Sequence, residues 1–197
     1  MDEPVDRIEP IVKVENVVAS AALSHRLDLH EIVKNFPDVE YRPEQFPGLV
    51  FRLKNPKTAT LIFGSGKMVC TGARSEKFAH KALGKVLKSL KKGGIVITGK
   101  LEVKVVNIVA SGNLHGSIDL IALYGAEREM RGRILYEPEQ FPGLIYRMQE
   151  PKVVFLLFTS GKLVCTGGRK EEDVHKAIAK LYDRLEKKEL IYHEEEY

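Results

Sequence analysis

The chain has 197 residues, 44% of them hydrophobic and 29% charged, with a formal net charge of +4. Hydrophobic content at the globular average excludes disorder and collagen-like sequence. No apolar run reaches the ~18 residues a membrane helix needs, and the acidic start Met1-Asp2-Glu3-Pro4 has no leader signature. A soluble intracellular protein without a membrane partner is expected. Cys70 and Cys165, the two cysteines, form neither a disulfide framework nor a zinc cluster, so no metal or cofactor is expected. Residues 1–100 carry 17 Lys/Arg against 11 Asp/Glu, and residues 101–197 carry 14 against 16. A modest excess of base in the first half is compatible with a polyanion partner.

In chain order, Ile11 to Ala19 is a β-branched run that predicts a strand. Leu23, Leu27, Ile32 and Val33 then follow helical spacing. The Pro43/Pro47-Gly48 cluster marks a loop. Three strands come next, Leu49–Leu53, Thr58–Phe63 and Lys67–Thr71, joined by Asn55-Pro56 and Gly64-Ser65-Gly66. Ser75 to Lys92 places Phe78, Ala82, Val86, Leu87 and Leu90 on one side of an amphipathic helix with a lysine-rich outer face.

The same order then returns. Tyr41 to Leu53 recurs as Tyr136 to Met148, with 9 of 13 positions identical, and Leu61 to Gly72 recurs as Leu156 to Gly167, with 9 of 12 identical, both at an offset of 95. Val14 to Ser20 matches Val105 to Ser111 at an offset of 91, so the second copy carries four extra residues, placed around Ala126 to Arg133. Its first strand falls on Leu101 to Ala110, and Ile118, Ile121 and Ala122 continue with helical spacing. Copies near 90 residues exceed solenoid periods, so this is a duplicated domain: 10–98, 99–190 and an acidic tail, 191–197. Strand–helix–four strands–helix, twice, is an α+β fold with antiparallel strands. Helices on one face of the sheet leave the other face open for function.

Enzymatic motifs are missing from the sequence. Phe63-Gly-Ser-Gly-Lys67 and Phe158-Thr-Ser-Gly-Lys162 lack the Ser/Thr and helix of a phosphate-binding loop and read as hairpin turns. His80 and His175 occupy matching surface-helix positions, and both cysteines read as small apolar strand residues. No acid–base pair, nucleophile site or metal set converges, so no catalytic residue is assigned. The phenylalanines differ. Phe46 and Phe141 sit between prolines in loops, and Phe63 and Phe158 end strands, in both copies. Period-two geometry puts Lys67, Val69 and Thr71 on one face, as it does Leu61 with Phe63. That face is apolar with a few short polar groups, Asn16 and Asn107 among them.

The duplicated Pro-Glu-Gln-Phe-Pro-Gly-Leu, followed by Ser-Gly-Lys-x-Val-Cys-Thr-Gly, resembles the core of the TATA-binding protein family of general transcription initiation factors, in its archaeal form, over roughly residues 10–190. The resemblance implies a saddle: a ten-stranded curved antiparallel sheet, concave toward DNA, with four helices on the convex side. That family is itself the type case of minor-groove wedging, so the following roles are carried by the resemblance and not by spacing. Phe46 with Phe63, and Phe141 with Phe158, match rings that wedge into base steps at the two ends of a TATA box. Asn16 and Asn107 match asparagines that bond acceptors on the groove floor, with Thr71 and Thr166 beside them. Val18, Leu61, Val69, Val109, Leu156 and Val164 match the apolar floor. Arg52, Lys57, Lys67, Arg147, Lys152 and Lys162 match or adjoin phosphate-contacting positions. Glu137 and Glu139 lie where the family holds transcription factor B, through which RNA polymerase is recruited indirectly. Gln45 and Gln140 depart from the basic residue that some relatives carry before the loop phenylalanine.

The resemblance implies a DNA-bending promoter factor that nucleates the pre-initiation complex and has no enzymatic activity. Its location would be cytoplasmic with the nucleoid if archaeal and nuclear if eukaryotic. The alternative is a protein–protein interaction module that buries the same open face, a homodimer of the free protein included.

Overall fold

The computed structural model describes residues 8–127 and 133–193. The chain forms β1 (Ile11–Ala22), α1 (Leu29–Asn35), β2 (Leu49–Lys54), β3 (Lys57–Ile62), β4 (Lys67–Ala73) and α2 (Glu76–Lys92). It continues through β5 (Glu102–Asn113), β6 (Ser117–Ile118), α3 (Leu120–Glu127), β7 (Ile134–Leu135), β8 (Leu144–Met148), β9 (Val153–Leu157), β10 (Lys162–Gly168), α4 (Glu171–Lys187) and β11 (Ile191–Tyr192). Two compact units result, Glu15–Asn107 and Ile108–Tyr197 with Met1–Val14. The α+β class, the antiparallel sheet, the duplication and the four helices agree with the sequence reading.

In the first copy the strands run in the order β2-β3-β4-β1. Alternation decides which side is covered. Leu49, Phe51, Ile62, Met68 and Cys70 are buried, and α2 lies against β2, β3 and β4 through Ala79, Ala82, Leu83, Val86 and Leu90. The second copy repeats this as β5-β10-β9-β8-β7. There Leu144, Tyr146, Phe155, Leu157, Leu163 and Cys165 are buried, and α4 buries Val174, Ala177, Ile178, Leu181 and Leu185. These residues are the two cores. The opposite face of each sheet carries none of them.

Three expectations change. Among the described residues the main ladders hold nine strands, where the resemblance implies ten. The second copy pairs β7 with β8 through Ile134↔Tyr146 and Leu135↔Ile145, while the first has only the bridge Glu40↔Val50 at the matching place. A single bridge does not make a strand. The first helix starts later than the apolar spacing suggests. Leu23 and Leu27 donate from their amides to Gly66 O and Gly64 O, both at 3.0 Å, so this stretch lies along the hairpin turn. Asp28 then caps α1, accepting from the amides of His30 and Glu31 at 2.9 and 3.2 Å. In the second copy Ile118 belongs to β6, and Asp119 caps α3 by accepting from Ala122 at 2.8 Å. Leu23, Leu27 and Ile118 keep helical spacing because they are buried, not because they are helical. Finally, Ile191 and Tyr192, set apart with the tail, pair with Ile118 and Ser117. Most of the four-residue insertion, and residues 194–197, lie outside the described residues.

The two long helices differ in their caps. Ser75 precedes α2 and its hydroxyl accepts from Phe78 N at 3.1 Å, whereas Lys170 precedes α4 and makes no such bond. Ser75→Ala should therefore cost about 1 kcal/mol, and Lys170→Ser should gain about as much. Urea unfolding midpoints moving in opposite directions check this; unmoved midpoints would reject it.

Candidate nucleic-acid interface

The open face is built by cross-strand register. In the first copy Val50 pairs with Leu61, Leu61 with Val69, and Val69 with Ser20. In the second, Ile145 pairs with Leu156, Leu156 with Val164, and Val164 with Ser111. Each row reads aliphatic, Leu, Val, Ser, and every member is half-buried. Next to it in the first copy, Arg52 pairs with Ala59 and Ala59 with Thr71. In the second, Arg147 pairs with Val154, Val154 with Thr166, and Thr166 with Val109. Val18 is also half-buried, between buried Val17 and Ala19. The sequence reading missed Val50, Ile145, Ser20, Ser111, Ala59 and Val154. Continuing the period-two count from Asn16, Arg52 and Leu61, and from Asn107, Arg147 and Leu156, would have found them.

Asn16 is the polar anchor of the first copy. Its Oδ1 accepts from Gly72 N at 2.7 Å, and its Nδ2 donates to Thr71 Oγ1 at 3.1 Å. The Gly72 amide can only donate, so the amide oxygen of Asn16 must face it, which fixes the orientation of the side chain. Gly72 has φ +94° at the irregularity where β1 and β4 shift register, between Val17/Ala73 and Ala19/Cys70. Asn107 and Thr166 take the matching strand positions, both half-buried.

Each ring pair follows from the hairpin. β2 and β3 are antiparallel, with Leu49 opposite Ile62, so the loop before β2 meets the residue after β3. Phe46 and Phe63 stand edge to face, centroids 5.9 Å apart at 67°; Phe141 and Phe158 repeat this at 6.1 Å and 68°. Both loops are closed alike. Phe46 N and Gln45 N donate to Arg42 O, and Phe141 N and Gln140 N to Glu137 O, all at 2.9 Å. The turns after β3 and β9 are hairpins, as expected, with Phe63 N donating to Lys67 O at 2.9 Å and Phe158 N to Lys162 O at 3.0 Å. Phe46 is 42% exposed and Phe141 43%, against 0% for the core ring Phe155. Exposing two rings of that size costs burial that the core would otherwise gain.

Cations rim the face. Lys57, Lys67, Lys152, Lys162 and Arg147 are exposed; Arg52, also exposed, donates from Nε to Glu40 Oε1 at 3.0 Å. Arg52, Lys54 and Lys57 border a groove of about 860 Å³ whose floor includes Ala59 and Thr71. Glu137 and Glu139 are exposed in the second loop, where the first has Arg42 and Glu44. The thiols lie on the covered side. Burial pushes Cys70 up and Cys165 to about 12, so neither is a thiolate near neutral pH. Among the described residues no three His, Cys, Asp or Glu are placed to hold a metal ion, and no helix is long and apolar enough to cross a membrane.

The model of the family "Transcription factor TFIID (or TATA-binding protein, TBP)" matches residues 11–93 and 102–188, one segment in each copy. The TATA-box-binding protein of Sulfolobus acidocaldarius is 52% identical over 176 residues, 89% of this chain and 87% of its own. That of Pyrodictium occultum is 51% identical over 180 residues, 91% and 88% of the two chains. The solved structure of Methanococcus jannaschii TBP superposes with a TM-score of 0.79 at 45% identity, covering 89% of this chain and 98% of that one. The repeated motifs, the open-face rows, the ring pairs and these matches lead to one conclusion: the chain belongs to the TATA-binding protein family, whose members are transcription factors and not enzymes.

Proposed function

We propose that this protein binds the TATA element of promoters through the minor groove, bends it, and nucleates the pre-initiation complex. The observation that carries the reading is the edge-to-face phenylalanine pair with its exposed loop ring, present in both copies beside an apolar open face. A·T pairs show only acceptors in the minor groove, so short donors and flat apolar contact are enough to read them. Val18, Leu61 and Val69, and Val109, Leu156 and Val164, provide the flat contact. Asn16 and Asn107 donate to groove-floor acceptors, with Thr71 and Thr166 alongside. Thr71 takes one Nδ2 hydrogen of Asn16, and the second serves the DNA. Phe46 with Phe63, and Phe141 with Phe158, unstack two base steps. Pyrimidine–purine steps such as TA yield most cheaply, so the rings read deformability as sequence. Arg52, Lys57, Lys67, Arg147, Lys152 and Lys162 neutralise phosphates around the bent duplex. The repeats run 10–98 and 99–190, and Ile191 and Tyr192 extend the second by pairing with Ile118 and Ser117. The named relatives are archaeal, and the protein acts on DNA in the cytoplasm.

Transcription factor B docks on the second loop through Glu137 and Glu139, and RNA polymerase joins through it. Arg42 and Glu137 occupy the same loop position with opposite charge, so a partner complementary to one loop rejects the other.

Three experiments test this reading. Phe141→Ala or Phe158→Ala should weaken TATA binding about tenfold and reduce the bend, since unstacking loses its apolar replacement. A FRET pair on the duplex ends reads the bend, and a variant that bends DNA like the parent removes that ring from the wedge. Asn16→Asp keeps an oxygen for Gly72 N but turns the donor into an acceptor. It should stay folded yet bind TATA DNA at least about tenfold more weakly, and undiminished binding in a gel shift would reject the donor role. Glu137→Arg with Glu139→Arg should abolish the ternary complex with transcription factor B and leave binary DNA binding intact. Supershift titration decides, and a surviving ternary complex sinks the docking site.

A further inference from the structure

Gly48 and Gly143 are buried, although the prolines before them, Pro47 and Pro142, are exposed. The rings cover them. A Cβ on Gly48 would stand 2.6 Å from Phe46 Cε1, 3.0 Å from Phe63 Cε1 and 3.3 Å from Phe46 Cζ. A Cβ on Gly143 would stand 2.6 Å from Phe141 Cε1, 3.1 Å from Phe158 Cε1 and 3.2 Å from Phe141 Cζ. In both copies the three nearest atoms belong to the wedge pair. Carbon atoms in contact prefer about 3.5–4.0 Å, so a methyl group would displace the loop ring by about 1 Å.

The usual reason for glycine does not apply. Neither residue is among the glycines with positive φ, so an L side chain meets no backbone objection at either place. What the sites exclude is volume under the rings. We propose that Gly48 and Gly143 are positioning residues for DNA bending: their bare Cα atoms set the depth and mutual angle of each phenylalanine pair. This rests on the minor-groove reading above. Functional geometry has to be held within about 0.5 Å, so a ring shift of about 1 Å takes the pair out of register with the base step it must enter. The fold gives little resistance to the change, because the rings that move are at the surface and not in the core.

The test uses the full chain with Gly48→Ala, Gly143→Ala and both together, beside Phe46→Ala and Phe141→Ala. Each variant is measured by thermal unfolding, by FRET bending of an intact TATA duplex, and by affinity for that duplex and for one mismatched at both terminal steps. The glycine variants should melt within a few degrees of the parent, bend the intact duplex less and bind it about tenfold more weakly. On the mismatched duplex, where the steps unstack at much lower cost, they should bind within about twofold of the parent. Unchanged bending by the glycine variants, equal losses on the two duplexes, or a melting temperature lowered by more than about ten degrees would each overturn the inference. If the phenylalanine variants lose bending and the glycine variants do not, only the glycine inference fails. If the phenylalanine variants also bend DNA fully, the wedge reading fails and this inference goes with it.

Discussion

The antiparallel register of β2 with β3, and of β8 with β9, is the constraint on which the interface depends. Pairing Leu49 with Ile62 and Leu144 with Leu157 sends Leu49, Phe51, Ile62 and their counterparts under the helices. The same pairing brings the loop phenylalanine to the strand-end phenylalanine. A slip of one residue would turn Leu61 and Leu156 into the core and Ile62 and Leu157 out of it, because side chains alternate with a period of two. It would also part the rings. Core packing therefore selects the register, and the register assembles the ring pairs. On the function proposed above, stability and DNA binding share one geometric choice but use opposite faces of the same strands.

This division explains how a surface can carry exposed rings without losing the fold. The cores under α2 and α4 hold the large buried side chains, among them Leu83, Phe155 and Ile178. Phe46 and Phe141 contribute little there. Their exposure is a cost the cores can carry, and it keeps the rings available. The orientation of Asn16 shows the same economy. One backbone amide, held by a glycine at positive φ, fixes which end of the side-chain amide is a donor before any ligand arrives.

Legibility followed physics at close range. The hairpin at 63–67, the three strands before α2 and the Ser75 start of that helix were readable, because alternation, turn residues and a capping serine act within a few positions. The wedge and floor roles came from the family resemblance, which the repeated motifs carried. The start of α1 was not readable, since Leu23 and Leu27 are buried in a loop that hydrogen-bonds to the distant turn at Gly64 and Gly66. The β6–β11 ladder, Ser117–Ile118 with Ile191–Tyr192, is too short to leave a periodic signal. The closeness of Gly48 to both rings had no sequence signature. A Pro-Gly pair announces a turn, and only the folded chain brings that glycine beneath two aromatic side chains.

The two copies are more alike on the open face than at one corner of the covered side. The open-face rows repeat as aliphatic, Leu, Val, Ser, and the ring pairs agree within 0.2 Å and 1°. One corner of the covered side does not repeat. In the first copy Phe36 meets Phe51 edge to face at 5.4 Å, and Gly93 leaves room for its ring. At the matching places the second copy has Glu127, Tyr146 and Lys188. Glu127, 3% exposed, is held by Lys188 at 2.8 Å and Arg184 at 3.7 Å, and Arg184 also donates to the Tyr146 hydroxyl. An aromatic pair, and a buried carboxylate held by two exposed cations, are different solutions to closing the same corner. On the minor-groove reading proposed above, the sheet face would have no such freedom, because that groove is nearly alike when read from either strand and would present both copies with the same problem. On that reading, whatever distinguishes the halves to a protein partner acts through loops and helices, where the copies are unlike, rather than through the open face.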